Sequence, residues 1–249
     1  MEQPVTAILG LGREVGDAVA RRFSEQGHRV VAADPRVKRL EGARASLSDK
    51  VVLHHSELHT RLGLRNVMSA ADEAFGRINN IVVIPEISES DALVELSIEK
   101  FDKAMASSVR AAVLLLSAFS DRLAQLSDED IDRPSQQGTV TFILDYLAKG
   151  AMPGQFTASV TQSAILSVVR AGALELAERG IRVNAIAAIR PRELRTQEFT
   201  TARTPLGRAA LADEIADAAR FLSSPEAAFI TGETLTLDGG RSTLSGILS

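Results

Sequence analysis

The chain contains no cysteine, and this absence excludes disulfide bonds and thiolate chemistry. A cysteine-free sequence is what a reducing cytosol favours. No apolar run approaches the roughly 20 residues that a membrane-spanning helix needs. The first residues, Met1-Glu2-Gln3-Pro4, lack the basic and apolar regions of a signal peptide. We therefore expect a soluble cytoplasmic protein that does not enter a membrane.

A strong excess of charge of either sign is also missing. The chain has 28 Lys and Arg against 32 Asp and Glu, a formal net charge of −4. This balance predicts neither a nucleic-acid partner nor an anionic membrane surface. With 249 residues, 45% of them apolar, the chain is large enough to bury a substantial core. We expect a single domain over residues 1–249.

Short β-type runs alternate with segments of helical periodicity along the whole chain. Strands are predicted over Val5–Leu9, Arg29–Ala33, Val51–His54, Asn80–Ile84, Thr139–Leu144 and Arg182–Ala187, and helices after Gly10, after Pro35, and over Arg61–Phe75, Phe101–Leu126 and Thr157–Arg179. The polar, acidic segment Ser127–Gln137 is predicted to be a surface loop. Such alternation predicts right-handed βαβ crossovers and a Rossmann-like, doubly wound α/β fold with a parallel sheet.

A glycine-rich turn follows the first predicted strand and opens the first helix. Gly10, Gly12 and Gly16 stand where glycines let a dinucleotide pyrophosphate approach a helix N-terminus. Asp34, at the end of the second strand, stands where a carboxylate accepts ribose hydroxyls and favours NAD over NADP. The same glycines also fit a tight βα turn without any ligand, and Asp34 also fits a solvated strand end. The pattern alone leaves both interpretations open.

Four segments of the second half resemble the short-chain dehydrogenase/reductase family. They are Leu174–Ala187, Pro205–Arg208, Phe221–Ser224 and Ile230–Gly240. The resemblance covers essentially the whole chain, because the Phe-Asp that precedes a central helix in the family is present as Phe101-Asp102. It implies seven parallel strands in the order 3-2-1-4-5-6-7, an NAD(P)-dependent activity and a tendency to form tetramers.

The resemblance also implies where the catalytic residues should be, and all four positions are changed. Asp145 stands at the position of the family's Ser, Ala158 at that of the Tyr, Gln162 at that of the Lys, and Ser108 at that of the Asn. An Ala side chain cannot transfer a proton, and a neutral Gln cannot lower the pKa of a neighbouring Tyr. A carboxylate at the Ser position repels a developing alkoxide. We therefore expect no catalytic residue in this chain.

The cofactor-binding positions implied by the resemblance are also altered. Glu14 replaces a glycine beside the pyrophosphate, Glu86 follows the fourth strand, and Ile189 follows the sixth. Added bulk and negative charge oppose a dianionic ligand. We expect no cofactor to be bound by this chain, which leaves Gly10, Gly12, Gly16 and Asp34 as vestiges of the site.

Three other features suggest chemistry, and each has a simpler explanation. Tyr146, the only tyrosine, lies beside Asp145 and near Lys149, but consecutive residues that leave a strand point in opposite directions. The histidines at 54, 55 and 59 lack a neighbouring carboxylate cluster, and the acidic residues 128–132 do not have the spacing of a calcium loop, so no metal is expected. The arginines at 190, 192 and 195 fit either an anionic substrate group or a solvated loop.

Two predicted helices carry more apolar surface than one sheet can cover. Residues 111–120 contain no charge, and the helix over Thr157–Arg179 has apolar residues on two faces. In the family these helices form a four-helix bundle between subunits. We expect the partner to be an active short-chain dehydrogenase paralogue that binds NAD, in a heterotetramer joined through these helices, with the tail Arg241–Ser249 close to the partner's substrate pocket. An NAD(H)-sensing protein, a homomeric scaffold and an oxidoreductase with an atypical site remain alternatives.

Overall fold

The computed structural model describes residues 3–11, 13–48, 50–88, 91–124, 138–189 and 203–244. Gly12 and the segments 125–137, 190–202 and 245–249 lie outside them. The predicted acidic loop Ser127–Gln137 and the arginines at 190, 192 and 195 therefore fall outside the described residues.

Seven parallel strands form one sheet in the order β3-β2-β1-β4-β5-β6-β7. The strands are β1 (Val5–Leu9), β2 (Arg29–Asp34), β3 (Val51–His55), β4 (Ile78–Val83), β5 (Gly138–Asp145), β6 (Ile181–Ala188) and β7 (Thr234–Leu237). The register pairs Leu9 with Val83 across β1 and β4, and Asp145 with Ala188 across β5 and β6. The predicted fold class and strand order are confirmed.

Helices connect the strands and cover both faces of the sheet. They are α1 (Arg13–Glu25), α2 (Val37–Ser46), α3 (Arg61–Phe75), α4 (Ile98–Met105), α5 (Ala111–Ala124), α6 (Phe156–Leu176) and α7 (Ala212–Ser223). Short 3₁₀ turns over Leu93–Glu95, Tyr146–Ala148, Ala177–Arg179, Pro225–Ala227 and Arg241–Thr243 complete the described elements.

Local sequence signals explain where several helices begin and end. The side chain of Thr60 accepts a hydrogen bond from the Gly63 amide at the start of α3, and α3 ends at Gly76 with a φ of 84°. The predicted bounds of this helix, Arg61–Phe75, are those of the structure. On α1, Val15, Val19 and Phe23 are buried, as their helical spacing predicts.

The long helix predicted over Phe101–Leu126 is interrupted in the structure. It begins earlier, at Ile98, and a π-helical turn over Ala106–Arg110 separates α4 from α5. The whole of Ile98–Ala124 is long and apolar enough to cross a membrane by length and composition alone. However, Leu115 and Phe119 on α5 are fully buried in the core, which explains the apolar composition without a membrane.

The core has one layer on each face of the sheet. On one face, α3, α5 and α6 pack against apolar side chains such as Leu64, Phe119 and Ile165. On the other face, α1, α2 and α7 pack around side chains such as Phe23 and Ile215. Because all seven strands are parallel, their carboxyl ends lie at one edge of the sheet. This is the edge at which a doubly wound sheet binds its ligands.

Candidate functional site

A crevice opens where the strand order reverses, between the carboxyl ends of β1 and β4. Gly10 follows β1, Ile84 follows β4, and both line the same cavity. Asp34 from the end of β2 and Ser108 from the π turn reach the same space. This is the position at which a parallel α/β sheet binds a nucleotide.

The carboxylate of Asp34 is bonded to its own chain. Oδ2 accepts from the Leu11 amide at 2.9 Å and from Arg39 Nη1 at 3.4 Å, and Oδ1 accepts from the Arg36 amide at 2.8 Å. Asp34 is 0% exposed. The interpretation of Asp34 as a solvated strand end is therefore wrong, because the βα turn after β1 folds over it. The carboxylate fastens the turns after β1 and β2 to each other.

Glu86 closes the outer side of the same crevice. Its Oε1 is paired with Arg36 Nη2 and lies 3.3 Å from Arg39 Nη2. Because Arg39 also contacts Asp34, the two carboxylates and two guanidinium groups form one network across the ends of β2 and β4. Glu86 and Arg36 are each about half exposed, so each contact contributes at most about 1 kcal/mol. The network is neutral overall, and Glu86 is its carboxylate on the side where a pyrophosphate would pass.

Two of the three glycines are required by the packing of the chain itself. At Gly10, where φ is 93°, an added Cβ would stand 2.4 Å from the Ile84 carbonyl oxygen. At Gly16 a Cβ would stand 2.6 Å from Leu11 Cα. Both close approaches involve backbone atoms, so they explain the glycines without a ligand. Gly12, the remaining glycine of the pattern, lies outside the described residues.

The cavity behind this network is small. Its volume is about 110 Å³, whereas sites for small organic ligands span roughly 300–1,000 Å³. Glu86 lines it, while Glu14 is exposed on the first turn of α1 and Ile189 is buried beside β7. Of the three residues expected to crowd the crevice, the described structure thus places Glu86 at the cavity. Glu86 and Ser107 also line a neighbouring cavity of about 550 Å³.

Asp145 and Gln162, two of the four catalytic positions, contact each other. Gln162 Oε1 accepts a hydrogen bond of 2.9 Å from the Asp145 amide, and Asp145 Oδ1 accepts one of 2.9 Å from the Leu147 amide. Gln162 is 0% exposed, as is Ala158 at the Tyr position. The Gln162 side chain thus joins α6 to the backbone at the end of β5, and the Asp145 side chain caps the turn that follows β5. At the Tyr position the structure has an apolar, fully buried methyl group.

Ser108, at the fourth position, is held by a hydrogen bond within its own helical segment. It lies within the π turn, where its hydroxyl donates to the Ala104 carbonyl at 2.5 Å. It lines the cavity between β1 and β4, whereas Asp145, Ala158 and Gln162 do not. π turns are common at functional sites, and this backbone irregularity is present here without the family's side chain.

Tyr146 and Lys149 point toward the carboxyl-terminal part of the chain. The Arg241 guanidinium lies 5.7 Å from the centroid of the Tyr146 ring, and Lys149 Nζ donates to Thr236 Oγ1 on β7 at 2.8 Å. Neither residue lines the cavity between β1 and β4. The structure therefore does not bring the only tyrosine to the Tyr position of the family.

A turn after β7 shows how the described part of the carboxyl-terminal tail is held. Asp238 accepts hydrogen bonds from the Gly240 amide at 3.0 Å and the Ser242 amide at 2.7 Å. Burial alone would raise the pKa of Asp238, but the hydrogen bonds from Ser242 and Gly240 outweigh it and lower the pKa. The tail is thus anchored through residue 244, and residues 245–249 lie outside the described ranges.

Sequence reasoning missed Asp91, which holds the segment after β4 against α6. Its Oδ1 accepts from the Thr157 amide at 3.0 Å, and its Oδ2 accepts from the Thr157 hydroxyl. A carboxylate bonded to the first turn of a helix is stabilised by the helix dipole. Asp91 follows β4 by eight residues and precedes α6 by more than sixty, so no local spacing in the sequence links it to Thr157.

The histidines of the β3 region do not form a metal site. His55 Nε2 contacts the Pro35 carbonyl at 3.0 Å, and His59 lies 3.4 Å from Glu57. Within the ranges that the structure describes, no group of three or more His, Cys, Asp or Glu side chains could hold a metal ion.

The outward face of α5 and α6 is open. On α6, Ile165 and Val169 are buried under the sheet, whereas Leu174 is 80% exposed. On α5, Leu115 is buried and Val113 is half exposed. This pair of helices thus has a second surface, partly apolar, that no described part of the chain covers.

Comparison with known proteins identifies the family. A family model described as enoyl-(acyl carrier protein) reductase matches residues 10–242. Because this match spans nearly the whole chain, and because the fold is that of short-chain reductases, the protein belongs to the short-chain dehydrogenase/reductase family.

The relatives named in these comparisons are dehydrogenases and reductases of similar length. The chain is 29% identical to 2,5-dichloro-2,5-cyclohexadiene-1,4-diol dehydrogenase of Sphingobium indicum, with 96% of each chain covered. It is 25% identical to a (2S)-[(R)-hydroxy(phenyl)methyl]succinyl-CoA dehydrogenase subunit of Thauera aromatica, with 99% of each covered. Among solved structures, a 3-ketoacyl-(acyl-carrier-protein) reductase of Brucella melitensis complexed with NADH superposes with a TM-score of 0.84 at 26% identity, covering 97% of this chain and 99% of that one.

Proposed function

We propose that this chain is the non-catalytic subunit of a hetero-oligomeric, NAD-dependent short-chain dehydrogenase, in which it stabilises an active paralogous subunit. The observation that carries the proposal is the contact between Gln162 and the Asp145 amide. At the place where the family needs a proton donor and a cation, the polar side chains bond to their own backbone and Ala158 is apolar. Neither Ala158 nor Gln162, at the Tyr and Lys positions, can take the hydroxyl proton.

The residues at the cofactor-binding positions also make contacts within the chain. The Asp34 carboxylate accepts hydrogen bonds from its own chain. Glu86 lines the crevice, and the cavity there measures about 110 Å³. To admit NAD, the chain would have to give up the Asp34–Arg39–Glu86 network and move Glu86 away from the pyrophosphate. The proposal therefore assigns NAD to the partner and little or no affinity for it to this chain.

The assembly part of the proposal rests on the open face of α5 and α6. Leu174 and Val113 are exposed on neighbouring helices, and exposed apolar patches on soluble proteins often mark interfaces. Mixed oligomers bury the same faces as homomeric ones, and large apolar interfaces favour obligate partners. One relative, the succinyl-CoA dehydrogenase subunit of Thauera aromatica described above, is itself named as a subunit of an enzyme.

We also propose a substrate class for the complex. A two-subunit enzyme of anaerobic toluene degradation oxidises 2-[hydroxy(phenyl)methyl]succinyl-CoA, and the pattern of losses in this chain resembles that of a degenerate subunit of such a pair. The substrate class that we propose is accordingly a secondary alcohol of a hydroxyacyl-CoA ester. This assignment depends on the proposed partnership.

Co-expression with a related chain that retains Ser, Tyr and Lys tests the proposal. We expect a stable complex whose NAD-dependent activity disappears when the partner's catalytic Tyr is changed to Phe. The activity should stay within about twofold when Ala158 of this chain is changed to Ser, because Ala158 transfers no proton. Native mass spectrometry of the same preparations reports whether both chains are present.

Two outcomes would overturn the proposal. If this chain forms a stable homotetramer and does not associate with such a paralogue, a cofactor sensor or a scaffold is favoured instead. Turnover by this chain alone that disappears in Tyr146→Phe would instead establish an oxidoreductase with an atypical site.

A further inference from the structure

A second cavity opens at the amino-terminal end of the sheet, opposite the family's catalytic edge. Its volume is about 350 Å³, which falls within the roughly 300–1,000 Å³ of small-molecule sites. Its walls come from the first residues of β4, β5 and β6 and from the end of α7. It shares no lining residue with the cavity between β1 and β4.

A buried guanidinium group without a counter-anion forms one wall. Arg182 is 7% exposed, and its Nη1 and Nη2 donate at 3.2 Å to the carbonyls of Ile230 and Ser224. Carbonyls supply only partial charges, and no described carboxylate pairs with this side chain within 4.0 Å. Burial lowers the pKa of Arg182. Buried charges in proteins are normally paired, so this wall lacks an anion.

A second guanidinium group, that of Arg220, lines the same cavity. Hydrogen bonds, first of all from Ser224, lower the pKa of the rim carboxylate Glu226, and the charge of Arg220 contributes to the same lowering. Burial, with a further contribution from Arg220, lowers the pKa of His28 to about 4, so His28 is neutral at pH 7. The titratable side chains of the cavity therefore carry two positive charges against one negative charge, which Glu226 supplies at the exposed rim.

Buried polar groups complete the cavity and hold its shape. Thr139 Oγ1 donates to Asn80 Oδ1 at 2.8 Å, and Asn80 Nδ2 donates to Thr6 Oγ1 at 3.3 Å, which ties β5, β4 and β1 together. Ser223, 9% exposed at the end of α7, has a buried hydroxyl with no hydrogen-bond partner in the described structure. Leaving such a hydroxyl unpaired costs about 1–3 kcal/mol, so a ligand that accepts from it would be favoured.

We propose that this cavity binds a small oxyanion-bearing molecule, a phosphate or a carboxylate, between Arg182, Arg220 and Ser223. The two guanidinium groups supply the positive charge and the directed N–H donors that such oxygens prefer. The serine hydroxyl supplies a further donor from α7. The site is independent of the proposed subunit function, because it lies at the other end of the sheet.

Isothermal titration calorimetry of the full chain with sodium phosphate and with sodium malonate tests the site, each against sodium chloride at equal ionic strength. We expect saturable binding of at least one of the two anions, and the pair distinguishes a phosphate site from a carboxylate site. Arg220→Gln should weaken that binding by roughly tenfold or more, since hydrogen bonds to charged groups are worth about 1.5–3 kcal/mol. Ser223→Ala should weaken it less, by a few-fold.

Arg44→Gln is the matched control, because it removes the same charge from an exposed position on α2. Its affinity for the anion should equal that of the unchanged chain. The proposal is overturned if neither anion binds more strongly than chloride, or if Arg220→Gln and Arg44→Gln bind alike. Neither result bears on cofactor binding or on the partner subunit, which the experiments at the other edge test separately.

Discussion

The carboxyl edge of the sheet and the outer face of α5 and α6 differ in whether their side chains are buried and bonded within the chain or exposed. At the carboxyl edge, Asp34, Asp145 and Gln162 are buried and bonded to neighbouring backbone amides. On the helices, Leu174 and Val113 stand exposed. We propose that these residues, which stand at cleft positions of the family, have a structural role in this chain. Exposed apolar side chains that a partner subunit could cover lie on these helices.

The largest effect on stability is expected at the first glycine of the crevice. Gly10→Ala should lower the free energy of unfolding by about 3 kcal/mol, because the new Cβ meets the Ile84 carbonyl and φ is positive. Urea denaturation checks this in the absence of any nucleotide. Gly42→Ala is the control, since nothing lies within 4 Å of a Cβ there, and alanine in a helix should stabilise by about 0.5–1 kcal/mol. A Gly10→Ala chain as stable as the original would mean that this glycine serves a ligand.

The contact between α6 and the end of β5 should have the next largest effect. Gln162→Leu leaves the buried Asp145 amide without its acceptor. It also removes Gln162 Nε2, a buried donor that has no hydrogen-bond partner in the described structure, so the net cost should be about 1 kcal/mol of stability. Ser167→Ala, at an exposed position of the same helix, should stay within about 0.5 kcal/mol. Equal urea midpoints for the two variants would show that Gln162 contributes nothing to the folded chain and would reopen a role in ligand binding.

A pH effect is expected from the amino-terminal end of the sheet. The pKa of His28 is lowered to about 4 by burial and by Arg220, from an ordinary value of 6.5. The folded state thus binds this proton less readily than the unfolded chain. Stability should be fully present above about pH 6.5, decrease as the pH falls toward 4, and level off below that. His28→Gln should flatten this part of the profile. An unchanged profile in that variant would contradict the assignment.

Substitutions on the open face of α5 and α6 should have the smallest effect on the stability of the monomer. They should have the largest effect on association with the partner. Leu174→Glu should change the stability of the monomer by less than about 0.5 kcal/mol, since the side chain is 80% exposed. In the complex it should reduce association with the partner, as measured by light scattering of co-expressed chains. Leu62→Glu on α3, where Leu62 is 70% exposed, is the control. Association that survives Leu174→Glu unchanged would move the interface elsewhere.

Much of the fold follows from the sequence because buried parallel strands and amphipathic helices have clear periodicities. β1 and α3 have the predicted bounds, and the other predicted strands differ by one or two residues. The π turn at Ala106–Arg110 was not predicted. No residue type in this segment, Ala-Ser-Ser-Val-Arg, specifies a π turn rather than an α-helix. The helix Ala212–Ser223 was not predicted as a separate element either.

The candidate site was predictable in position and less so in its contacts. Motif spacing placed Asp145 and Gln162 at the edge of the sheet, where the structure has them. Their mutual hydrogen bond, the network around Asp34 and Glu86, and the contact of Asp91 with Thr157 were not predictable. Each joins elements that are distant in the chain, and side-chain geometry rather than residue type decides whether such groups face a ligand or each other.

Titration of the purified chain alone with NADH tests most directly whether the carboxyl edge has become structural. We expect no saturable binding by calorimetry, because Asp34 and Glu86 are held in contacts within the chain and the cavity that they line measures about 110 Å³. The active paralogue, titrated under the same conditions, should bind NADH. Micromolar affinity of this chain alone would contradict the interpretation and would favour a protein that senses the cofactor.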